Sequence, residues 1–123
     1  MTVGAGVPDV NYCFAGDEGW IELKFARPPV RASTIVFKSQ RGLDPEQIEW
    51  LVYRRKNDGR AWIFLQLGKW LLLIDGIHAT KFNHLTTSEL IALACWKRSG
   101  NMAPADWVSL RDLLRTDMRF ATL

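Results

Sequence analysis

Asp9, Glu22 and Lys24 are the residues of this chain whose types and spacing suit chemistry. They lie in the stretch PDVNYCFAGDEGWIELK, Pro8 to Lys24, which reads as two apolar strands around a Gly-rich turn. Side chains two apart in a strand share a face, so Glu22 and Lys24 point one way while Ile21, Leu23 and Phe25 point the other. A hairpin returns Asp9 to the side of that pair. Two carboxylates and an ammonium on one spot make a place for a divalent cation beside a proton donor or charge stabiliser, which is what hydrolysis of a phosphodiester requires. Each residue also has a plainer explanation: Asp9 as a turn carboxylate after Pro8, and Glu22 with Lys24 as a same-face surface ion pair worth little. Those explanations account for the residues singly and leave their convergence unexplained.

The elements that must position these groups follow in order. Asp9 to Phe14 is a strand, Ala15 to Gly19 a turn, and Trp20 to Phe25 a second strand. Ala26 to Leu43 is a loop broken by Pro28 and Pro29, with a short strand expected at Thr34 to Phe37; a loop of this length in a compact domain is a candidate flap. Asp44 opens a helix as N-cap, with Pro45 first and Gln47 third, and Asn57-Asp58-Gly59 closes it. Ala61 to Leu67 and Trp70 to Asp75 are apolar strands buried on both faces, joined by Gly68-Lys69. Thr86 with Glu89 caps a helix at Ser88 to Lys97, Arg98 to Ala103 is a break, and Pro104 to about Asp117 is the last helix. The expected fold is α/β, a mixed sheet in β-β-α-β-β order flanked by helices. The last helices either cover the sheet or form a dimer interface.

Composition narrows the class. With 123 residues, 48% apolar and 24% charged, the chain fits one domain, 1–123, with a core large enough to stand without staples. No apolar run approaches a membrane span and the first residues lack the pattern of a signal peptide, so a cytoplasmic protein is expected. Cys13 and Cys95 are far apart with no CxxC spacing, which predicts buried thiols rather than zinc or a disulfide. His78 and His84 have no third ligand at metal spacing. The net charge is +3, unevenly spread: residues 1–23 hold four acids and no base, whereas 24–60 hold nine bases against four acids. An acidic pocket beside a basic rim suits an enzyme acting on a polyanion, although a solvated basic face gives the same count. Arg27, Arg31, Lys38 and Arg41 in the loop, and Arg54 and Arg55 on the helix, are the candidate phosphate contacts. Arg54 and Arg55 equally complement the helix dipole, and Trp50 or Trp70 could stack on a base.

Pro8-Asp9, then Glu22-Leu23-Lys24 on an apolar strand after a Gly turn, then Gln47-Ile48-Glu49-Trp50 on a helix, fall in the order of a known pattern. The chain resembles the PD-(D/E)XK nuclease superfamily, and within it the VRR-NUC and Holliday-junction-resolvase-like branches and small phage nucleases, over roughly residues 6 to 75. The residues from about 86 to 117 then form a C-terminal helical extension. The resemblance implies a restriction-endonuclease-like core in a bacterial or phage-infected cell, and cleavage of DNA with Mg²⁺ or Mn²⁺, with branched or junction DNA as a substrate on resemblance alone. It implies Asp9, Glu22 and the Leu23 carbonyl as metal ligands, Lys24 as the group that positions water or stabilises charge, and Gln47 as an orienting residue. Gln47 is equally accounted for as the partner of Asp44 in a capping box. Many relatives also place a helix before the PD strand that lends another acid, whereas the eight residues before Asp9 contain no Asp or Glu. The expectation is therefore a site of two carboxylates, or one completed by a partner chain or an upstream segment. A symmetric junction would favour a homodimer. The rivals are an inert DNA-binding module that keeps the fold and a structural protein with an incidental E-x-K.

Overall fold

The computed structural model describes residues 5–116. Five strands form one mixed, open sheet in sequence order: β1 (Val10–Phe14), β2 (Asp17–Ala26), β3 (Arg60–Leu67), β4 (Trp70–Asp75) and β5 (Trp96–Ser99). Only β2 and β3 run parallel; every other neighbouring pair is antiparallel. The parallel step needs a crossover, supplied by the 27–43 loop and α1 (Pro45–Lys56).

The first hairpin is tighter than its sequence suggests. Phe14 pairs with Asp17 across the two-residue turn Ala15-Gly16, whose φ values of 52° and 90° are the left-handed pair that matches strand twist. Asp17, Glu18 and Gly19, expected in the turn, therefore extend β2 and face Phe14, Cys13 and Tyr12. Gly19 is required there because a side chain would fall in the space of the Tyr12 ring. Tyr12 crosses Gly19, accepts a hydrogen bond from Trp62 Nε1 (2.9 Å), and donates to the Leu114 carbonyl.

Register decides which face each residue serves. Trp20, Glu22, Lys24 and Ala26 stand opposite Ala61, Ile63, Leu65 and Leu67. This face carries the larger core, in which Leu51, Phe82 and Leu90 pack on Ile63, Leu65, Leu72 and Ile74. Glu22 and Lys24 therefore sit on the side of the sheet that α1 covers. The opposite face is covered by α4 (Pro104–Leu114), whose Leu110 and Leu114 pack with Tyr12, Trp62 and Leu73.

Between β4 and β5 the chain makes a single 3₁₀ turn at Gly76–His78, the short α2 (Ala79–Phe82) and α3 (Thr87–Leu93). The sequence predicts one helix from Ser88 to Lys97 and a break over 98–103; instead the helix ends at Leu93 and 96–99 forms a strand. Ala94 leaves helical geometry at ψ 134°, and the Cys95 N–H turns to the Leu73 carbonyl (2.9 Å), which starts the β4 pairing. The Thr34 to Phe37 strand shrinks to one bridge, Ile35 to Thr86, followed by a 3₁₀ turn at Val36–Lys38. The last helix stops at Leu114, and the expected end near Asp117 lies outside the described residues. Cys13 and Cys95 are exposed rather than buried. Cys13 lies on an edge strand; Cys95 is exposed as a residue, but its Sγ is turned inward, donates to the Leu73 carbonyl (3.3 Å) and is covered enough that its pKa is pushed up to about 11. No helix among the described residues is long and apolar enough to cross a membrane.

Arg55 belongs to this framework. Its guanidinium bonds both oxygens of Asp75 (2.8 and 3.2 Å) and the Gly59 carbonyl (2.9 Å), and it lies over the Trp62 ring. With side chains 9% and 6% exposed, Arg55 and Asp75 fasten the end of α1 to the end of β4. Arg55→Ala strands the Asp75 carboxylate, and urea unfolding should show a loss of about 3 kcal/mol or more; a loss below about 1 kcal/mol would rule out this fastening role.

Candidate active site

Two charged side chains are buried among the described residues, Asp75 at 4% exposure and Glu22 at 2%. Their surroundings differ. Asp75 receives the Arg55 fork and the Ile77 N–H (2.9 Å). Glu22 Oε2 receives one hydrogen bond, from Gln47 Nε2 at 3.2 Å, with Lys24 Nζ at 3.8 Å. Glu22 Oε1 is buried without a partner.

Asp9 is brought to this carboxylate by a sheet defect. The β1–β2 ladder ends at Val10 paired with Ile21, and the preceding Pro8 has no N–H with which to continue it. The Leu23 N–H, left without a strand partner, donates to Asp9 Oδ2 (2.9 Å). In an extended residue the N–H and C=O lie along the same strand edge, so the Leu23 carbonyl leaves β2 on the side where Asp9 sits.

Gln47 joins the site from α1. Its Oε1 accepts the Asp44 N–H (2.9 Å), closing the capping box, while its Nε2 donates to Glu22. The two explanations of Gln47, cap and site residue, thus hold together. Asp44 is held by Arg41 (2.7 Å), and its charge reaches both Lys24 and Glu22. From the sequence Asp44 is only a helix cap; its place opposite E-x-K becomes visible once α1 is docked on β2.

The electrostatics follow from this crowding. Burial raises the Glu22 pKa first, then the charge and close carboxyl group of Asp9, and the more distant Asp44; Lys24 opposes them, and the result is about 7. A hard divalent cation fits such a place on chemical grounds. It would satisfy the orphaned Oε1 and remove the repulsion between two acids, with Asp9, Glu22 and the Leu23 carbonyl as oxygen donors. Among the described residues no three His, Cys, Asp or Glu side chains are grouped to hold one ion, so any such ion would keep several waters.

The expected phosphate contacts divide. Arg27, Arg31 and Lys38 are exposed, and Arg41 is exposed beside Asp44. Arg54 lies over the Trp50 ring (5.5 Å) and near Glu18 (3.5 Å), and Trp50 meets Trp20 edge-on. Arg55 is largely buried, its side chain 9% exposed, and gives three hydrogen bonds to Asp75 and Gly59. Asp17 pairs with Arg115 (2.8 Å) and Arg60 (3.6 Å), well away from Glu22 along β2.

No family model matches the chain, and no curated protein or solved structure matches it.

The raised Glu22 pKa has a definite sign. The folded protein keeps a proton that the unfolded chain, with the ordinary value of 4.5, has released. Stability contributed by that proton is complete below 4.5 and is lost as pH rises toward about 7. Glu22→Gln in chelator should match wild type in urea unfolding at the acidic end and exceed it by roughly 2 to 3 kcal/mol near pH 8. Equal stabilities at both ends would remove the buried, under-bonded carboxylate from the account.

Proposed function

We propose that this chain is a metal-dependent DNA nuclease domain of the PD-(D/E)XK type, hydrolysing phosphodiester bonds with Mg²⁺ or Mn²⁺. The observation that carries this reading is the contrast between the two buried acids. Asp75 is saturated by its own protein, whereas Glu22 is left with a free oxygen next to a second carboxylate, a lysine and an amide. A fold that can satisfy one buried carboxylate completely has a reason for leaving the other open.

When bound at Asp9, Glu22 and the Leu23 carbonyl, the ion would supply Lewis acidity toward the phosphate and a more acidic water. The chain's own groups divide the rest. Lys24, 14% exposed and 3.8 Å from Glu22 Oε2, directs an ammonium to the same spot, where it orients a water or offsets charge gathering on the phosphoryl oxygens. Gln47 holds Glu22 Oε2 through its amide and fixes which oxygen stays free. The low exposure around Glu22 strengthens both interactions. Arg27, Arg31, Lys38 and Arg41 line a loop that leaves β2 just beyond Lys24 and returns at Asp44, where a DNA backbone would need positive charge. Branched DNA is the substrate we favour for an endonuclease of this kind.

Labelled linear, nicked, flapped and four-way DNA incubated with Mg²⁺, Mn²⁺ or chelator tests the proposal. Cleavage should need the metal, fall by about a hundredfold or more in Glu22→Gln and Lys24→Ala, and fall by about tenfold to a hundredfold in Gln47→Ala. Cutting in chelator, or undiminished cutting by both Glu22→Gln and Lys24→Ala, would sink it. Salt-sensitive binding without any cutting would identify an inert DNA-binding domain instead.

A further inference from the structure

The loop between β2 and α1 carries a feature that phosphate binding does not explain. Val30 is 105% exposed, the highest among the exposed large apolar residues of the described chain, whereas Tyr53, the next, is at 69%. A single exposed valine is ordinary; its setting is not. It follows Pro28 and Pro29, and it is bracketed by Arg27 and Arg31. Residues 24–43 contain five bases and no acid.

The tip is held out by a braced base. Gln40 takes the Arg27 N–H on its Oε1 (2.8 Å) and gives its amide to the carbonyls of Arg27 (2.7 Å) and Val36 (3.1 Å). Pro28 lies against Gly68, where a side chain would crowd its ring. The far limb is tied by Thr34 N–H to the Arg31 carbonyl (3.1 Å) and Val36 N–H to the Leu85 carbonyl (3.0 Å), and Val36 and Phe37 are buried. Two prolines fix the intervening φ angles. The apolar tip is thus presented rigidly, with little ordering left to do on contact. Beside it opens a cleft of about 380 Å³ lined by Arg27, Pro29, Val30, Ile35 and Gln40.

We propose that Pro29 and Val30 form a wedge that enters DNA at a base step beside the scissile phosphate, with Arg27 and Arg31 on the flanking phosphates. This rests on the nuclease reading for its location, since the loop starts three residues after Lys24 and ends at the Asp44 cap. Apolar side chains inserted between base pairs unstack and kink a duplex, at least cost where pairing is already disturbed. The cleft is of a size to receive a displaced base. The substrate class that follows is duplex DNA with a weakened step, such as a branch point. An anionic membrane is the competing partner for a basic, apolar-tipped loop, but one valine and two prolines bury too little for stable anchoring.

Short duplexes and four-way junctions carrying a single 2-aminopurine at successive positions, mixed with protein in chelator, test the wedge. Wild type and Lys24→Ala should raise fluorescence about threefold at one or two adjacent positions. Val30→Ser, at a side chain with no packing to lose, should abolish that rise while keeping the wild-type melting temperature. Arg31→Ala should lower the slope of log affinity against log salt by about one. An unchanged rise in Val30→Ser, no responding position, or sedimentation with phosphatidylserine vesicles in place of DNA unstacking would overturn the wedge. The two proposals fail separately: unstacking that depends on Val30 without any metal-dependent cleavage retires the nuclease and keeps the wedge, and metal-dependent cleavage without unstacking does the reverse.

Discussion

The buried carboxylate of Glu22, with one oxygen left unbonded, is the constraint on which the rest of this structure turns. A buried acceptor without a partner costs about 1 to 3 kcal/mol, and a neighbouring Asp9 adds repulsion. The protein meets this by holding a proton near neutrality rather than by adding donors. Asp75 shows that donors were within the fold's means: the same sheet buries a second acid under a bidentate arginine and a backbone N–H.

Holding Glu22 in that condition takes several elements. The parallel pairing of β2 with β3 turns it toward the covered face. The β1 ladder ends at Val10, and beyond it the Leu23 N–H donates to the Asp9 carboxylate instead of to a strand carbonyl. Helix α1 adds Gln47, whose two ends serve the helix start and the carboxylate at once. A residue with both duties is constrained twice: a change that spares the cap but not the amide disturbs the site, and the converse disturbs the helix.

Much of this was legible in the sequence because it is local. Strand alternation placed Glu22 and Lys24 together, and the Asp44-Pro45 start with the Asn57-Asp58-Gly59 end marked α1 to within a residue. Register was harder. Nothing in Trp96-Lys97-Arg98-Ser99 separates an edge strand from the end of a helix until the free edge of β4 is known. The fate of Arg55 was hidden for the same reason, because its partner Asp75 lies twenty residues away on another element. Asp44 and Gln47 advertised their cap and concealed their reach across to β2. The exposure of Cys13 and Cys95 likewise depends on which strands lie at the edges, which apolar neighbours in sequence do not reveal.

The attachment of α1 has a mechanical side. The helix is pinned to the sheet near both ends, through Gln47 to Glu22 at its start and through Arg55 to Asp75 at its finish. The second pin is a buried ionic fork and the first a single 3.2 Å amide contact whose acceptor changes charge near neutral pH. Between the two pins Leu51 is fully buried against the sheet, so the helix is seated along its length and its ends differ in the strength of their polar contacts. The return limb of the basic loop joins at Asp44, beside the weaker of the two.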